Sequence, residues 1–284
     1  MAAANEIQFA SYPDLEGKVV FLTGIGQSGS PSLELWGNGA AIARLMAYQG
    51  AKVYGCDVNI DAAQRTQKRI QGLIPGADIT VTQADVTRSE DVKRAVAECV
   101  ERYGRIDVLV NNVGRSEPGD PATMTESVWD AQTDINLKSV YLTCHHILPV
   151  MTTQQSPPGG SIVNISSIAG LRYIGKPQVA YSATKAGVIQ FTKATAVIYA
   201  EKGVRLNVVV PGLMHTPLVT VLAEKYAGGD LEGFVEKRNR AVPVGAMGGG
   251  EDVAMAVGWL ASEQSRYVTG QKIVVDGGIT SATR

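Results

Sequence analysis

The sequence predicts an α/β protein: one doubly wound parallel sheet of about seven strands with helices on both faces. Three observations carry that expectation. Short apolar runs recur along the chain, helix-length amphipathic stretches separate them, and no Pro/Gly/Ser-rich linker, repeat or low-complexity block divides the 284 residues. Strands buried on both faces read as near-continuous apolar runs. Such runs lie at 19–22, 51–55, 79–81, 106–110, 161–165, 205–209 and 272–275. The expected organisation is a single domain over 1–284, with a flexible segment at 1–14 and irregular stretches at 25–37, 152–160 and 212–250; residues 213–250 read as a substrate lid.

Composition narrows the function. With 45% hydrophobic residues and a mean hydropathy of +0.02, the chain can bury a large core. A net charge of −1 argues against nucleic acid or anionic membrane as the main partner. Cys56, Cys99 and Cys144 are odd in number and widely spaced, which fits neither a disulfide framework nor a zinc site. No metal is expected. Neither a signal segment nor 18 uninterrupted apolar residues occur, so a soluble cytoplasmic protein is the expectation.

The strongest chemical signal is Tyr181 with Lys185, preceded by Ser167 in Asn164-Ile165-Ser166-Ser167. A four-residue step places phenol and ammonium on one helix face. The fixed charge should depress a phenol pKa that is ordinarily about 10. Bringing it near neutrality takes about 4 kcal/mol, and a unit charge at about 4 Å in an effective dielectric of 20 supplies about as much. Ser167 would then hold a substrate oxygen while Tyr181 gives or takes its proton. Tyr48 and Lys52 repeat the spacing, but Gly50 interrupts them and no serine-bearing strand precedes them, so that copy reads as accidental.

A phosphate-binding turn is expected after the first strand. Gly24-Ile25-Gly26-Gln27-Ser28-Gly29 is a literal G-x-G-x-x-G. It is read as a decoy, because Ser30, Pro31 and Ser32 follow it while a good helix, 40–47, starts only after Gly37-Asn38-Gly39. The acidic residue expected about 20 positions on is Asp57, which ends the second run 18 residues past Gly39 and 28 past Gly29. The working motif is therefore Gly24, an enlarged loop, then Gly37, Asn38 and Gly39. The loop reads in two ways: as a passive surface excursion, or, because Leu33, Leu35 and Trp36 are too apolar for a freely solvated one, as a segment that folds back beside the dinucleotide and buries Trp36.

Assembled in order, Thr23-Gly24 with Gly37 and Gly39, Asp85-Val86, Asn111-Asn112-Val113-Gly114, Ile135-Asn136-Leu137, Ser167, Tyr181 with Lys185, Pro211-Gly212 with Thr216, and Val275-Asp276-Gly277-Gly278 resemble the short-chain dehydrogenase/reductase (SDR) family over about residues 15–279. The resemblance implies a Rossmann-like fold and an NAD(P)-dependent oxidoreductase acting on a small alcohol or ketone, usually a homotetramer, with a homodimer the other option. It implies a tetrad of Asn136, Ser167, Tyr181 and Lys185, with Asn136 holding a water that relays protons to the lysine. It also implies that Asp85 and Val86 face the adenine, that Asn112 and Gly114 line the adenosine side, that Tyr181 and Lys185 touch the nicotinamide ribose, and that Met214 and Thr216 lie near the carboxamide. Two departures stand out: twelve residues rather than three separate the first two motif glycines, and Val113 replaces the usual alanine.

Asp57, with no arginine beside it, favours NAD(H) over NADP(H); Trp36 occupies the place where NADP-dependent relatives often carry a basic residue. A dehydratase or epimerase on the same fold and a non-catalytic dinucleotide sensor remain the alternatives. An enoyl reductase would space tyrosine and lysine seven apart. His215 is assigned to lid packing rather than substrate contact, and His145 and His146 to structure or a subunit interface. The cations Lys225, Lys237, Arg238 and Arg240 read as solvated lid surface rather than as a site for an acidic substrate, and the loop after Ser167 contributes Arg172 and Tyr173.

Overall fold

Each of the seven apolar runs forms a strand. A computed structural model describes residues 9–27, 35–155 and 157–283. In it β1 (Val19–Thr23), β2 (Lys52–Asp57), β3 (Ile79–Gln83), β4 (Val108–Asn111), β5 (Gly160–Ile165), β6 (Val204–Pro211) and β7 (Lys272–Val275) pair in parallel. Their order is β3-β2-β1-β4-β5-β6-β7. The direction of winding reverses between β1 and β4, and the crevice at the carboxyl ends there is where this architecture takes its ligand. The register aligns Thr23 with both Cys56 and Asn111, so the ends of β1, β2 and β4 finish level.

One face is covered by α1 (Asn38–Tyr48), α2 (Ile60–Leu73) and α9 (Gly250–Ala261), whose Ile42, Leu45, Met46, Ile70, Val253 and Leu260 are fully buried. The other is covered by α3 (Ser89–Tyr103), α5 (Ser139–Thr153) and α6 (Val179–Tyr199). A buried polar chain ties the second face to the sheet: Thr143 Oγ1 donates to Asn111 Oδ1 at 2.7 Å, Asn111 Nδ2 to Asn164 Oδ1 at 2.8 Å, and Asn164 Nδ2 to Thr192 Oγ1 at 2.8 Å. Asn111 thus has a structural occupation.

Two expectations change. The stretch 212–250 is not irregular throughout, since it holds α7 (Leu218–Ala227) and α8 (Leu231–Arg240). Gly228 and Gly229, at φ +59° and +90°, stop the first, and the Asp230 carboxylate caps the second by accepting from Gly233 N at 2.9 Å. The N-terminal segment is packed from Phe9 onward rather than loose: Phe9, Tyr12 and Leu15 join the core, and Tyr12 N donates to Gln49 Oε1 at 2.7 Å. Their burial outweighs the entropy expected to free a terminus.

Both ends of the enlarged loop are anchored. Ile25 is fully buried against Gly55, Gln27 Oε1 accepts from Gly37 N at 2.6 Å, and Trp36 is only 3% exposed. The Arg69 guanidinium stacks 3.5 Å from the Trp36 ring centroid, and Arg69 Nη1 donates to Leu35 O at 2.9 Å. Ser28, Gly29, Ser30 and Leu33 lie outside the described residues.

Candidate active site

The carboxyl ends of β1, β2 and β4 open a cavity of about 510 Å³ lined by Gly24, Asp57, Asp85, Val86, Asn112, Val113 and Gly114, among others. A second, of about 220 Å³, is lined by Asn38, Asn112, Gly114, Ser167, Tyr181, Lys185, Met214 and Thr216. Asn112 and Gly114 line both, so these are two ends of one cleft.

The turn feeding the cleft follows the expected register. Gly24 adopts φ +71°, which favours glycine, and α1 begins at Asn38 with Gly37 as its N-cap. At Gly39 a Cβ would sit 2.0 Å from Gly24 O and 2.6 Å from Asn112 Nδ2, so only glycine lets the helix start this close to β1. Asn112 Nδ2 fixes the turn by donating to Gly24 O at 3.0 Å. Gly37 and Gly39 shape this backbone without lining either cavity. The helix N-terminus, with its unpaired N–H groups, suits a diphosphate. Asn38 Oδ1 is buried with no partner, a polar atom facing the cleft and awaiting one.

The Asp57 carboxylate accepts from Gly26 N at 2.9 Å and Asn59 N at 3.0 Å, and it has no ion pair among the described residues. Arg44 and Arg69 flank Trp36 and do not line this cavity. Asp85 Oδ1 is held by Thr87 N at 2.9 Å and Thr87 Oγ1 at 2.7 Å. With Gly39 as cradle, Asn38 unpartnered and Asp57 at the second strand's end, these residues fit a nicotinamide adenine dinucleotide.

Ser167, Tyr181 and Lys185 converge at the other end. Ser167 follows β5 as the cap of a short turn, its Oγ accepting from Ala169 N at 3.2 Å. Tyr181 and Lys185 project from the start of α6. Lys185 is 2% exposed and its Nζ donates to Ile165 O at 2.9 Å. Gly114 leaves the necessary room, because a Cβ there would lie 2.8 Å from that Nζ.

The electrostatics differ from the sequence expectation. Burial pushes the Tyr181 phenol above its ordinary value, and its hydrogen bond with Ser167 only partly opposes this. Burial also pushes Lys185 down to about 8. The ammonium is spent on a backbone carbonyl and sits 5.8 Å from the Tyr181 ring centroid, so in this arrangement it does not lower the phenol.

Asn136 is fully buried in a π-turn, Asp134–Lys138, between α4 (Glu126–Thr133) and α5. Its Nδ2 donates to Arg115 O at 2.9 Å and to Gln132 O at 3.0 Å, while Oδ1 accepts from Arg115 N at 2.9 Å. One amide hydrogen and Oδ1 hold Arg115, in the segment after Gly114, and the other amide hydrogen is taken by Gln132 O one turn back. Asn136 lines neither cavity.

Met214 and Thr216 line the second cavity, whereas His215 between them does not, its N donating to Gly248 O at 2.7 Å. Arg172 turns to the C-terminal segment, donating to Ile279 O and Ala282 O at 3.4 Å. Lys176 and Arg238 line the cavity with Tyr181. Arg238 had been assigned to lid surface, and sequence reasoning passed over Lys176. The signal for Lys176 was its place in the loop following Ser167, which the fold brings back over the strand ends.

Comparison with known proteins agrees with this geometry. A family model described as enoyl-(acyl carrier protein) reductase matches residues 35–280. The 3-oxoacyl-[acyl-carrier-protein] reductase FabG of Thermotoga maritima is 38% identical over 93% of this chain and 98% of its own. The 3beta-hydroxysteroid dehydrogenase 1 of Eggerthella lenta is 36% identical over 95% and 96%. Among solved structures, a short-chain dehydrogenase/reductase from Burkholderia xenovorans superposes with a TM-score of 0.88 at 43% identity, over 96% of this chain and 100% of that one.

Proposed function

This chain belongs to the short-chain dehydrogenase/reductase family, and from that premise and the cleft's geometry we propose reversible hydride transfer between a nicotinamide dinucleotide and a secondary alcohol or ketone, with NAD(H) favoured over NADP(H). It is an NAD(P)-dependent oxidoreductase acting on CH–OH or C=O groups. The observation that carries the finer reading is the convergence of Ser167, Tyr181 and Lys185 on the cavity that Asn112 and Gly114 join to the Asp57 end. Two relatives bear the names of a 3-oxoacyl reductase and a 3beta-hydroxysteroid dehydrogenase, which supports an oxo/hydroxyl pair at a secondary carbon.

The bound dinucleotide supplies or accepts the hydride. Ser167 Oγ donates to the substrate oxygen, and Tyr181 gives its proton to that oxygen in reduction or takes it in oxidation. A phenol held above its ordinary value is protonated at neutral pH, the form reduction requires. Oxidation requires the phenolate, so its rate rises with pH while that of reduction falls. Lys185 holds the strand end through Ile165 O and would hold the cofactor ribose when the dinucleotide is bound. Asn136 and Gly114 are positioning residues.

The remaining expectations belong to the same reading. A homotetramer or homodimer is supported by the exposed apolar Trp129, Tyr141, Val197 and Ile198. No helix among the described residues is long and apolar enough to cross a membrane. A cytoplasmic location and a small-molecule partner belong to the same proposal, with the net charge of −1 speaking against nucleic acid.

The test is absorbance at the NADH band over a panel of alcohols, polyols, sugars and cyclic ketones with both cofactors, for the wild type and Tyr181→Phe. Loss of a positioned acid/base should cost about two to four orders of magnitude in rate with NADH affinity nearly intact. A Phe variant keeping more than about a tenth of the wild-type rate contradicts this mechanism.

A further inference from the structure

Two cations share the substrate end of the cleft. Lys176, in the loop between β5 and α6, and Arg238, on α8, line the same cavity as Ser167 and Tyr181. Neither makes an ion pair among the described residues. The nearby carboxylate, Glu117, is already taken by Lys225 at 2.6 Å and Arg115 at 2.7 Å. Arg238 Nε has only Met247 Sδ, at 3.2 Å, and the Phe234 ring, while Lys176 Nζ lies 4.8 Å from the Tyr226 ring centroid.

Charges taken out of water ordinarily carry partners. Here burial lowers both groups from their ordinary values, and the like charge of Arg238 lowers Lys176 further. Solvated lid surface would not show the half-burial of both groups. The rest of the wall at this end, Ile168, Ile174, Leu213, Leu218 and Leu222, is apolar. An apolar sleeve ending in two unpaired cations is complementary to a short carbon chain ending in an anion.

We propose that Lys176 and Arg238 form a carboxylate subsite, so that the preferred substrates are small hydroxy acids and their keto acids. The inference rests on the alcohol–ketone reading above and assigns its substrate class. A guanidinium fork can grip a carboxylate through two parallel hydrogen bonds, with the ammonium closing on the remaining lone pairs. In oxidation the carbinol C–H bond breaks as hydride passes to the nicotinamide, the O–H bond breaks as its proton passes to Tyr181, and C=O forms. The carboxylate is unchanged and serves as the handle. Arg238 rides on α8, so an anion bound between it and Lys176 would draw that helix onto the loop after Ser167.

The test compares straight-chain 2-, 3- and 4-hydroxy acids with the corresponding primary amides, which match them in size without the charge. Binding to the enzyme–NADH complex is followed by NADH fluorescence; a hydroxy acid cannot accept hydride, so the signal is independent of turnover. At least one acid is expected to bind about tenfold or more tighter than its amide, and Arg238→Gln and Lys176→Gln are each expected to cut that ratio about tenfold. A merely structural role would weaken acid and amide alike and leave the ratio standing. The subsite is overturned if no acid outbinds its amide in the wild type, a comparison that needs no variant, or if the ratio survives both substitutions. Turnover of neutral alcohols with no acid preference removes the subsite and leaves the oxidoreductase reading. Acid-selective binding with no turnover of any alcohol does the reverse.

Discussion

Replacing Gly39 with alanine tests the dinucleotide turn against helix propensity. Alanine is favoured over glycine in a helix by about 1 kcal/mol, so propensity alone predicts a more stable protein. The local geometry opposes it. The new Cβ would lie 2.0 Å from Gly24 O, 2.6 Å from Asn112 Nδ2 and 3.0 Å from Gly24 C, where ordinary contact needs about 3.5 Å. Two of those atoms are backbone, so the start of α1 must retreat from β1 by about 1 Å or more. Overpacking of this kind costs about 1–3 kcal/mol, which exceeds the propensity gain. A displacement of about 1 Å in a positioned site can cost about a hundredfold, and NADH affinity should fall by about ten- to a hundredfold. Gly37→Ala is the control. There, among the described residues, a Cβ would meet only Gln27, at 3.7 Å, and the backbone, at φ −71° and ψ 156°, suits any residue. Its stability should stay within about 0.5 kcal/mol, with a far smaller effect on NADH. Fluorescence titration with NADH and urea unfolding of both variants are the assays. Equal NADH affinities and equal unfolding midpoints for Gly39→Ala and Gly37→Ala would refute the reasoning.

Further outcomes follow from the same coordinates. NAD(H) should outperform NADP(H) in kcat/KM by about tenfold or more, because the Asp57 carboxylate at the end of β2 has no ion pair among the described residues and would repel a 2′-phosphate; Asp57→Ala should narrow the gap, and equal values in the wild type would refute it. Lys185 has a folded-state pKa of about 8 against an ordinary 10.5, so the unfolded chain binds more protons between those values and the folded state gains stability as pH rises through that window. Relative to Lys185→Met, the wild type should gain about 2 kcal/mol between pH 7 and 9.5, read from urea midpoints; a pH-independent difference would show that the lysine is not desolvated. Replacing residues 25–36 with a three-residue turn should weaken NADH binding severalfold. Unchanged NADH affinity and kcat/KM in that variant would show the loop to be a passive excursion.

What the sequence disclosed divides along physical lines. Strand positions were legible because buried parallel strands leave unbroken apolar runs, and all seven appear where those runs stand. The glycine register was legible because only glycines directly before the helix expected at 40–47 give Asp57 its spacing, and the structure starts that helix at Asn38, two residues sooner than expected. The two helices within 213–250 were missed although Gly228-Gly229 and Asp230 mark a helix stop and a helix cap; the mixed polarity of both helices hid the periodicity. The Tyr181 environment was not legible, because spacing gives the face of a helix but not whether Lys185 turns its ammonium to the phenol or to Ile165 O. The position of Lys176 in the loop after Ser167 was legible, but its lack of an ion-pair partner was not, for a related reason. Its significance lies in what does not pair with it, and that depends on where Glu117, far away in sequence, sends its carboxylate.

The junction of β5 with α6 bears on how this scaffold can change. Ser166 Oγ donates to Lys185 O at 2.7 Å, Lys185 Nζ returns to Ile165 O, and at Gly170 a Cβ would come within 2.7 Å of the Lys185 carbonyl carbon. These three stitches fasten the serine, tyrosine and lysine to one another without help from residues 213–250, which descend from the far end of β6. The reactive trio thus sits apart from α8, whereas the substrate end is shared between the β5–α6 loop, which carries Lys176, and 213–250, which carries Arg238. A chimaera exchanging 213–250 for the corresponding segment of a relative should keep the pH dependence of its hydride-transfer step, and its substrate preference should follow the donor only when the loop around Lys176 is exchanged with it.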